Sequence, residues 1–353
     1  MMIGTPAAHA NFIPPPGYWD LSDRGVGNTS TAPRTPNHNV VCEHCHLPLR
    51  HYRPMTSAAV AESDDIWRRR LGTLAFVDDM LGRLLDTLDA QGELSRTLML
   101  YTADNGFHLG QWAQGFDKRQ MYETDLRVPY FVRCPGCLRG ARLDEPVSHV
   151  DIAATVLDFA GVALPTYFDG RSFKPLLLPS TTRPARAAWD PSVFVQYFGE
   201  SFTGRADEDF IGGCGCGIDS RHSAPGSPYP GGIIANPELL DPHRGGGHYV
   251  GAPCDGWNNT YTCTRKVATP ASPGAYMFCV FDCFEPHTKR PMACAANTPE
   301  GLGEFYDMDT DPWQLKNEVG SLAPARLAAL RSRVEAMRSC EGQASVKDGG
   351  CMA

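Results

Sequence analysis

The dominant pattern along the chain is a run of apolar residues at three- and four-residue steps. Leu71, Leu74, Val77, Leu81, Leu84, Leu85 and Leu88 predict one long helix over about residues 62–90, closed by Gly92. Residues 97–102 then form a continuous apolar run, the signature of a strand buried in a parallel sheet. A second apolar segment follows at 128–132. Residues 151–161 read as a short helix with an acid at its start and a glycine after its end, as dipole and C-cap preferences favour. Helix, strand and helix in this order predict an α/β layer.

The pattern changes further along. Residues 1–57 are loop-like, dominated by Pro, Gly, Asn and His. Around 179–191 the composition shifts and predicts a linker, dividing the chain into 1–180 and 181–353. Beyond it, 193–198, 260–267 and 276–284 are rich in aromatic and branched residues and predict strands. Residues 199–258 are rich in Gly, Pro and Cys and predict an irregular, disulfide-held excursion. A final amphipathic helix uses Leu327, Leu330, Val334 and Met337, with Ser321 as its expected N-cap.

With 42% hydrophobic residues among 353, the chain can bury a full core. A net charge of −8 excludes a basic nucleic-acid footprint, so no nucleic-acid partner is expected. No apolar run reaches the length of a membrane span, and the first residues lack the charged start and apolar centre of a signal peptide. Nine of the 13 cysteines lie from Cys214 onward, a usage that suits disulfides in an oxidising compartment. Their pairing does not follow from their count, and an odd number leaves one without an internal partner. Cys42-x2-Cys45 and Cys134-x2-Cys137 resemble zinc half-sites, but a helix–strand unit separates them, so disulfides or free thiols are the preferred reading. Asn28 and Asn258 each open a glycosylation sequon.

The candidate chemistry sits where the 97–102 run ends in Asp104-Asn105-Gly106. Asp-Asn-Gly is an ordinary turn; it is also a pair of oxygen donors suited to a hard cation such as Ca²⁺. Lys118 is a compact cation able to reach a tetrahedral anion, although Asp117-Lys118-Arg119 also reads as a solvated charge run. Glu123 and Arg127, four apart, read as an ion pair bracing a turn. His9 lies in a Pro-rich start, and imidazole there could donate a proton near neutral pH. His108 either touches substrate or caps the loop.

Residues 103–111 and 117–123, with 147–158, 169–172 and 305–312, resemble the sulfatase family. Residues 31–40, 214–216, 258–263 and 337–340 are similar to the branch that removes 6-O-sulfate from N-acetylglucosamine units of glycosaminoglycans. The resemblance implies an alkaline-phosphatase-like α/β sandwich, partial here, followed by a smaller α+β domain with an antiparallel sheet and a C-terminal helix. It implies Ca²⁺ held by Asp104 and Asn105, sulfate held by Lys118, a leaving group assisted by His9, and substrate contact at His108. It also implies a formylglycine nucleophile, a sulfated glycan substrate and a lysosomal or secreted location. None of the 13 cysteines lies in a Cys-x-Pro-Ser-Arg context. The expectation is therefore a C-terminal portion of such an enzyme, without turnover of its own. A phosphate-ester or diester hydrolase of the same superfamily, and a non-catalytic glycan-binding relic, are the rival readings. The oligomeric state is not readable.

Overall fold

Thr56 starts the longest helix by accepting the Ala59 N–H on its side-chain oxygen at 3.2 Å. In the computed structural model, which describes residues 1–9, 12–27, 30–50, 54–179, 189–199, 259–270, 272–284, 291–292, 294 and 299–343, this helix is preceded by the short α1 (Leu47–Arg50). The cap lets α2 (Ser57–Ala90) begin before residue 62, where the leucine periodicity alone placed its start. Gly92, at φ +70°, follows its end. The buried face carries Ala59, Ser63, Ile66, Gly72, Thr73 and Val77; of the predicted stripe only Val77 is among them, and Leu74 is 39% exposed. Gly72 explains part of this choice of face, because Tyr18 and Pro14 pack where a Cβ would stand.

The strand after it corrects the parallel-sheet expectation. β1 (Met99–Thr102) pairs antiparallel with β4 (Tyr130–Arg133), Leu100 opposite Val132. Between them the chain makes a small hairpin, β2 (His108–Leu109) with β3 (Phe116–Asp117), and one helical turn, α3 (Glu123–Leu126). Among the described residues no other strand lies beside β1 or β4, and Phe131 is 66% exposed. α4 (Val150–Phe159) and α5 (Lys174–Leu177) follow. Asp151, near the start of α4, accepts the N–H groups of Ser148 and Arg171 at 3.0 and 2.9 Å.

The second part is an antiparallel sheet in the order β10-β7-β6-β5. Its strands β5 (Ser192–Tyr197), β6 (Tyr261–Lys266) and β7 (Tyr276–Phe281) match the aromatic-rich runs of the sequence. A small ribbon of β8 (Cys283–Phe284) and β9 (Pro291–Met292) and the turn α6 (Pro299–Leu302) lead to β10 (Glu304–Asp307). The terminal helix α7 (Pro324–Arg338) lays Leu330 and Val334 on Phe278 and Phe305. Ser321 does not cap it. The helix begins at a proline with Ala323 before it, while Ser321 sits in a separate 3-10 turn and donates to the Glu318 carbonyl.

Disulfides join Cys42 to Cys45, Cys134 to Cys137, Cys263 to Cys279 and Cys283 to Cys294. The two Cys-x2-Cys pairs are thus each closed on themselves. Cys263 and Cys279 are also directly opposed in the β6–β7 register. Asn28, Asn258 and nearly all of 199–258 lie outside the described residues.

One core crosses the whole chain: Cys42, Leu49, Trp112 and Tyr122 pack with Tyr261, Met277 and Tyr306. At its centre, fully buried Glu304 accepts the His46 N–H (2.6 Å) and the hydroxyls of Tyr122 (3.1 Å) and Tyr306 (2.5 Å). Nδ1 of His46 lies 3.2 Å from the same carboxylate, and Nε2 lies 3.1 Å from the Asn259 side-chain oxygen. A buried carboxylate persists only when its lone pairs are satisfied in this way.

Candidate active site

The polar turn after β1 is held by its own side chains and by α3. Asn105 N–H donates to Oδ1 of Asp104 at 3.0 Å, and the Asn105 amide donates to the Gly106 carbonyl at 2.6 Å. Gly106 and Phe107 donate to the carbonyls of Asp125 and Thr124, both at 2.7 Å. A Cβ at position 106 would stand 2.1 Å from the Thr124 oxygen, so the close approach requires glycine. Asp104 is exposed. Its second oxygen and the Asn105 side-chain oxygen are hard donors that these bonds do not use.

Asp125 is the organiser that sequence reading missed. Its buried carboxylate lies 2.9–3.0 Å from Nδ1 of His108 and accepts the N–H groups of Arg119 (3.1 Å) and Gln120 (2.8 Å). His108 is therefore neither a loop cap nor exposed. It is 2% accessible, with Nε2 making no hydrogen bond among the described residues. Arg119 adopts φ +137°, a strained value for a residue with a Cβ. Its carbonyl is gripped from the far side by the Asn259 amide at 3.0 Å and by the Tyr261 hydroxyl at 3.3 Å. Lys118 precedes this clamped residue and is half-buried. Among the described residues its ammonium forms no ion pair. Asp117 pairs with Arg119 at 2.5 Å, and burial pushes its carboxyl up against the pull of His108 and Arg119.

Gly106, Phe107, His108, Arg119 and Gln120 all bond to Thr124 or Asp125, so the segments that carry Asp104, Asn105 and Lys118 are both tied to α3. His9 comes less close. It sits exposed in a turn closed by hydrogen bonds to Pro6 and Phe12. Phe12 anchors that turn edge-on to Phe107 and Phe116 at 5.9 and 5.5 Å, so His9 is joined to the hairpin through its neighbour. Among the described residues no hydrogen bond links it to Asp104, Asn105 or Lys118. Glu123 reaches Arg127 only at 3.9 Å; its firmer partner is Arg265 of β6 at 2.7 Å.

The sulfatase family model matches residues 1–162, which contain this whole constellation. The N-acetylglucosamine-6-sulfatase of Bos taurus is 32% identical over 97% of this chain and 52% of its own length, and the Homo sapiens enzyme is 31% identical over the same shares. Residues 1–162 are a sulfatase-family domain. An N-acetylglucosamine-6-O-sulfatase of Bacteroides thetaiotaomicron is 40% identical over 37% of the chain and 23% of its own length. Among solved structures, a phosphonate monoester hydrolase from Silicibacter pomeroyi superposes with a TM-score of 0.55 at 18% identity, covering 93% of this chain and 53% of that one, a likeness of fold. The chain spans about half the length of the N-acetylglucosamine-6-sulfatases it matches.

Calcium and a formylglycine are generally expected in sulfatases. Asp104 and Asn105 suit a hard cation by donor type and would supply two of the six to eight oxygens Ca²⁺ takes. None of the 13 cysteines in these 353 residues lies in the context a formylglycine requires. Asp125 lacked a local signal in the sequence beyond lying between Glu123 and Arg127.

Proposed function

We propose that this chain carries the metal- and sulfate-binding part of a sulfuric ester hydrolase that removes 6-O-sulfate from N-acetylglucosamine units of glycosaminoglycans. Asp104 and Asn105 would hold Ca²⁺, which when bound offsets the negative charge of the ester. Lys118 adds a fixed cation on the sulfate oxygens. His9 protonates the departing sugar oxygen, as an imidazole can near neutral pH. His108, its tautomer fixed by Asp125, offers Nε2 to the substrate. Residues 1–180 would form the catalytic layer and 181–353 the Cys-rich C-terminal domain. Paired cysteines suit a lysosomal or secreted setting. The observation that carries this reading is the strained Arg119, clamped from two sides beside Lys118, whose ammonium forms no ion pair among the described residues. Strain of that kind persists where geometry serves a site.

The test is calorimetric titration of the 353-residue chain with inorganic sulfate, with and without Ca²⁺. Saturable binding that Ca²⁺ strengthens and Lys118→Ala weakens roughly tenfold or more is expected. Binding indifferent to Lys118→Ala would sink the proposal. A second reading is glycan binding without turnover. Heparin binding that ignores Ca²⁺ would support it, and aryl-sulfate hydrolysis abolished by Lys118→Ala would remove it.

A further inference from the structure

On the side of the β2 ribbon away from His108 lies a cavity of about 550 Å³. Its walls join α2 to the C-terminal sheet and hold two groups with unmet binding capacity. Arg70 lies with its guanidinium 3.7 Å from the centre of the Phe107 ring. No acid pairs with it among the described residues, and burial pushes it down to about 10. Gln314 is 1% exposed and held at φ +59°. Its carbonyl oxygen accepts the Glu123 N–H at 2.8 Å, which leaves its amide nitrogen a buried donor with no partner among the described residues. Trp67 and Trp313 form apolar walls of the same cavity, and Trp313 is 40% exposed at its mouth.

Unpaired donors call for an acceptor, and a buried cation calls for an anion. Indole faces suit the apolar face of a sugar ring. A neutral apolar ligand would leave both Arg70 and Gln314 unsatisfied. A basic ligand would be repelled, since Arg127 and Arg265 also line the cavity against the single acid Glu123.

We propose that this cavity is a subsite for an anionic sugar unit, its sulfate or carboxylate held by Arg70 and Gln314 and its ring laid against Trp67 and Trp313. Neither Asp104 nor Lys118 lines it, and it gives the chain a second grip on an acidic glycan. The ligand class rests on the glycan reading above; the subsite does not require hydrolysis.

Calorimetric titration of the full chain separates the two. The probes are N-acetylglucosamine 6-sulfate, glucuronic acid and neutral N-acetylglucosamine, applied to wild type, Lys118→Ala, Arg70→Met and Trp313→Ala. Binding of at least one acidic sugar, about tenfold or more tighter than the neutral one, retained in Lys118→Ala and weakened as much in Arg70→Met, is expected. Preference between the two acidic probes tells sulfate from carboxylate. If Arg70→Met lowers the melting temperature, Trp313→Ala, altered at an exposed position, carries the test and must weaken binding too. Equal binding of the neutral sugar, or wild-type affinity in both cavity variants, overturns the subsite. Loss in Lys118→Ala alone also overturns it, because binding then belongs to the catalytic loop, and the function proposed above survives.

Discussion

Nδ1 of His108 lies 2.9 Å from Oδ2 of Asp125, and the same oxygen accepts the main-chain N–H of Gln120 at 2.8 Å. One carboxylate therefore sets the tautomer of the histidine and the course of the segment behind Lys118. With both side chains buried, neither partner has water to fall back on.

Asp125→Ala removes that acceptor and strands two backbone donors and an imidazole. A loss of about 3 kcal/mol is expected, in the range for leaving buried donors without their acceptor, read from urea unfolding. Asp125→Asn, which keeps one acceptor oxygen, is expected to lose less. Sulfate affinity should fall with Asp125→Ala, because the Lys118 segment is no longer held. An Asp125→Ala protein as stable as wild type would show that Asp125 does not organise the site.

Gly106→Ala tests the approach of the Asp104–Asn105 turn to α3. The new methyl would meet the Thr124 carbonyl, an atom of backbone that cannot swing aside. Forced displacement of this kind costs about 1–3 kcal/mol. The melting temperature should drop, and Ca²⁺ binding, followed by calorimetry, should weaken more than stability alone explains. Unchanged Ca²⁺ affinity would place the ion elsewhere.

The parts of this site visible in the sequence are those whose chemistry is local. Asp104 and Asn105 close an apolar run, and Lys118 stands in a run of charges beside them. Strands β6 and β7 announced themselves by aromatic and branched residues, because a half-buried pleated surface selects those types. What could not be read is what depends on distant pairing. Glu304 meets His46 across 258 positions, and Arg119 is held by Asn259 across 140. No periodicity marks such a pair. The leucine stripe of α2 misled for the same reason: spacing gives a face, while Gly72 and its contact with Tyr18 decide which face is covered. The antiparallel β1–β4 pairing was hidden as well, since an apolar run has no direction.

The Cys263–Cys279 bridge should contribute measurably to the sheet. It closes a 16-residue separation across β6 and β7, and a constraint of that length is worth about 3 kcal/mol through the unfolded chain. The double variant Cys263→Ala/Cys279→Ala should unfold at lower urea by a corresponding amount. Because β6 also supplies Tyr261 to the Arg119 carbonyl, loosening the sheet should weaken sulfate binding in parallel. Sulfate affinity unaffected at temperatures where the variant remains folded would separate the sheet from the site.

Tyr122 and Tyr306 make alkaline pH a probe of the shared core. Burial first, then the charge of Glu304, holds both phenols well above their ordinary value of 10.0. A raised folded pKa means the native state keeps its protons longer than the unfolded chain does. The stabilisation is fully present below about pH 10, where unfolded tyrosines are protonated, and is lost as pH rises from there towards the folded values. Unfolding free energy should therefore be flat with respect to these two groups at pH 8–9 and fall steeply beyond 10. Tyr122→Phe removes one of the two phenols and should make the fall shallower, at the expense of one hydrogen bond, about 1 kcal/mol, at neutral pH. Ultraviolet titration gives an independent reading, because both phenolates should appear only with the loss of tertiary circular dichroism. Two buried phenols ionising freely in the folded protein near pH 10 would contradict the packing of Glu304 between them.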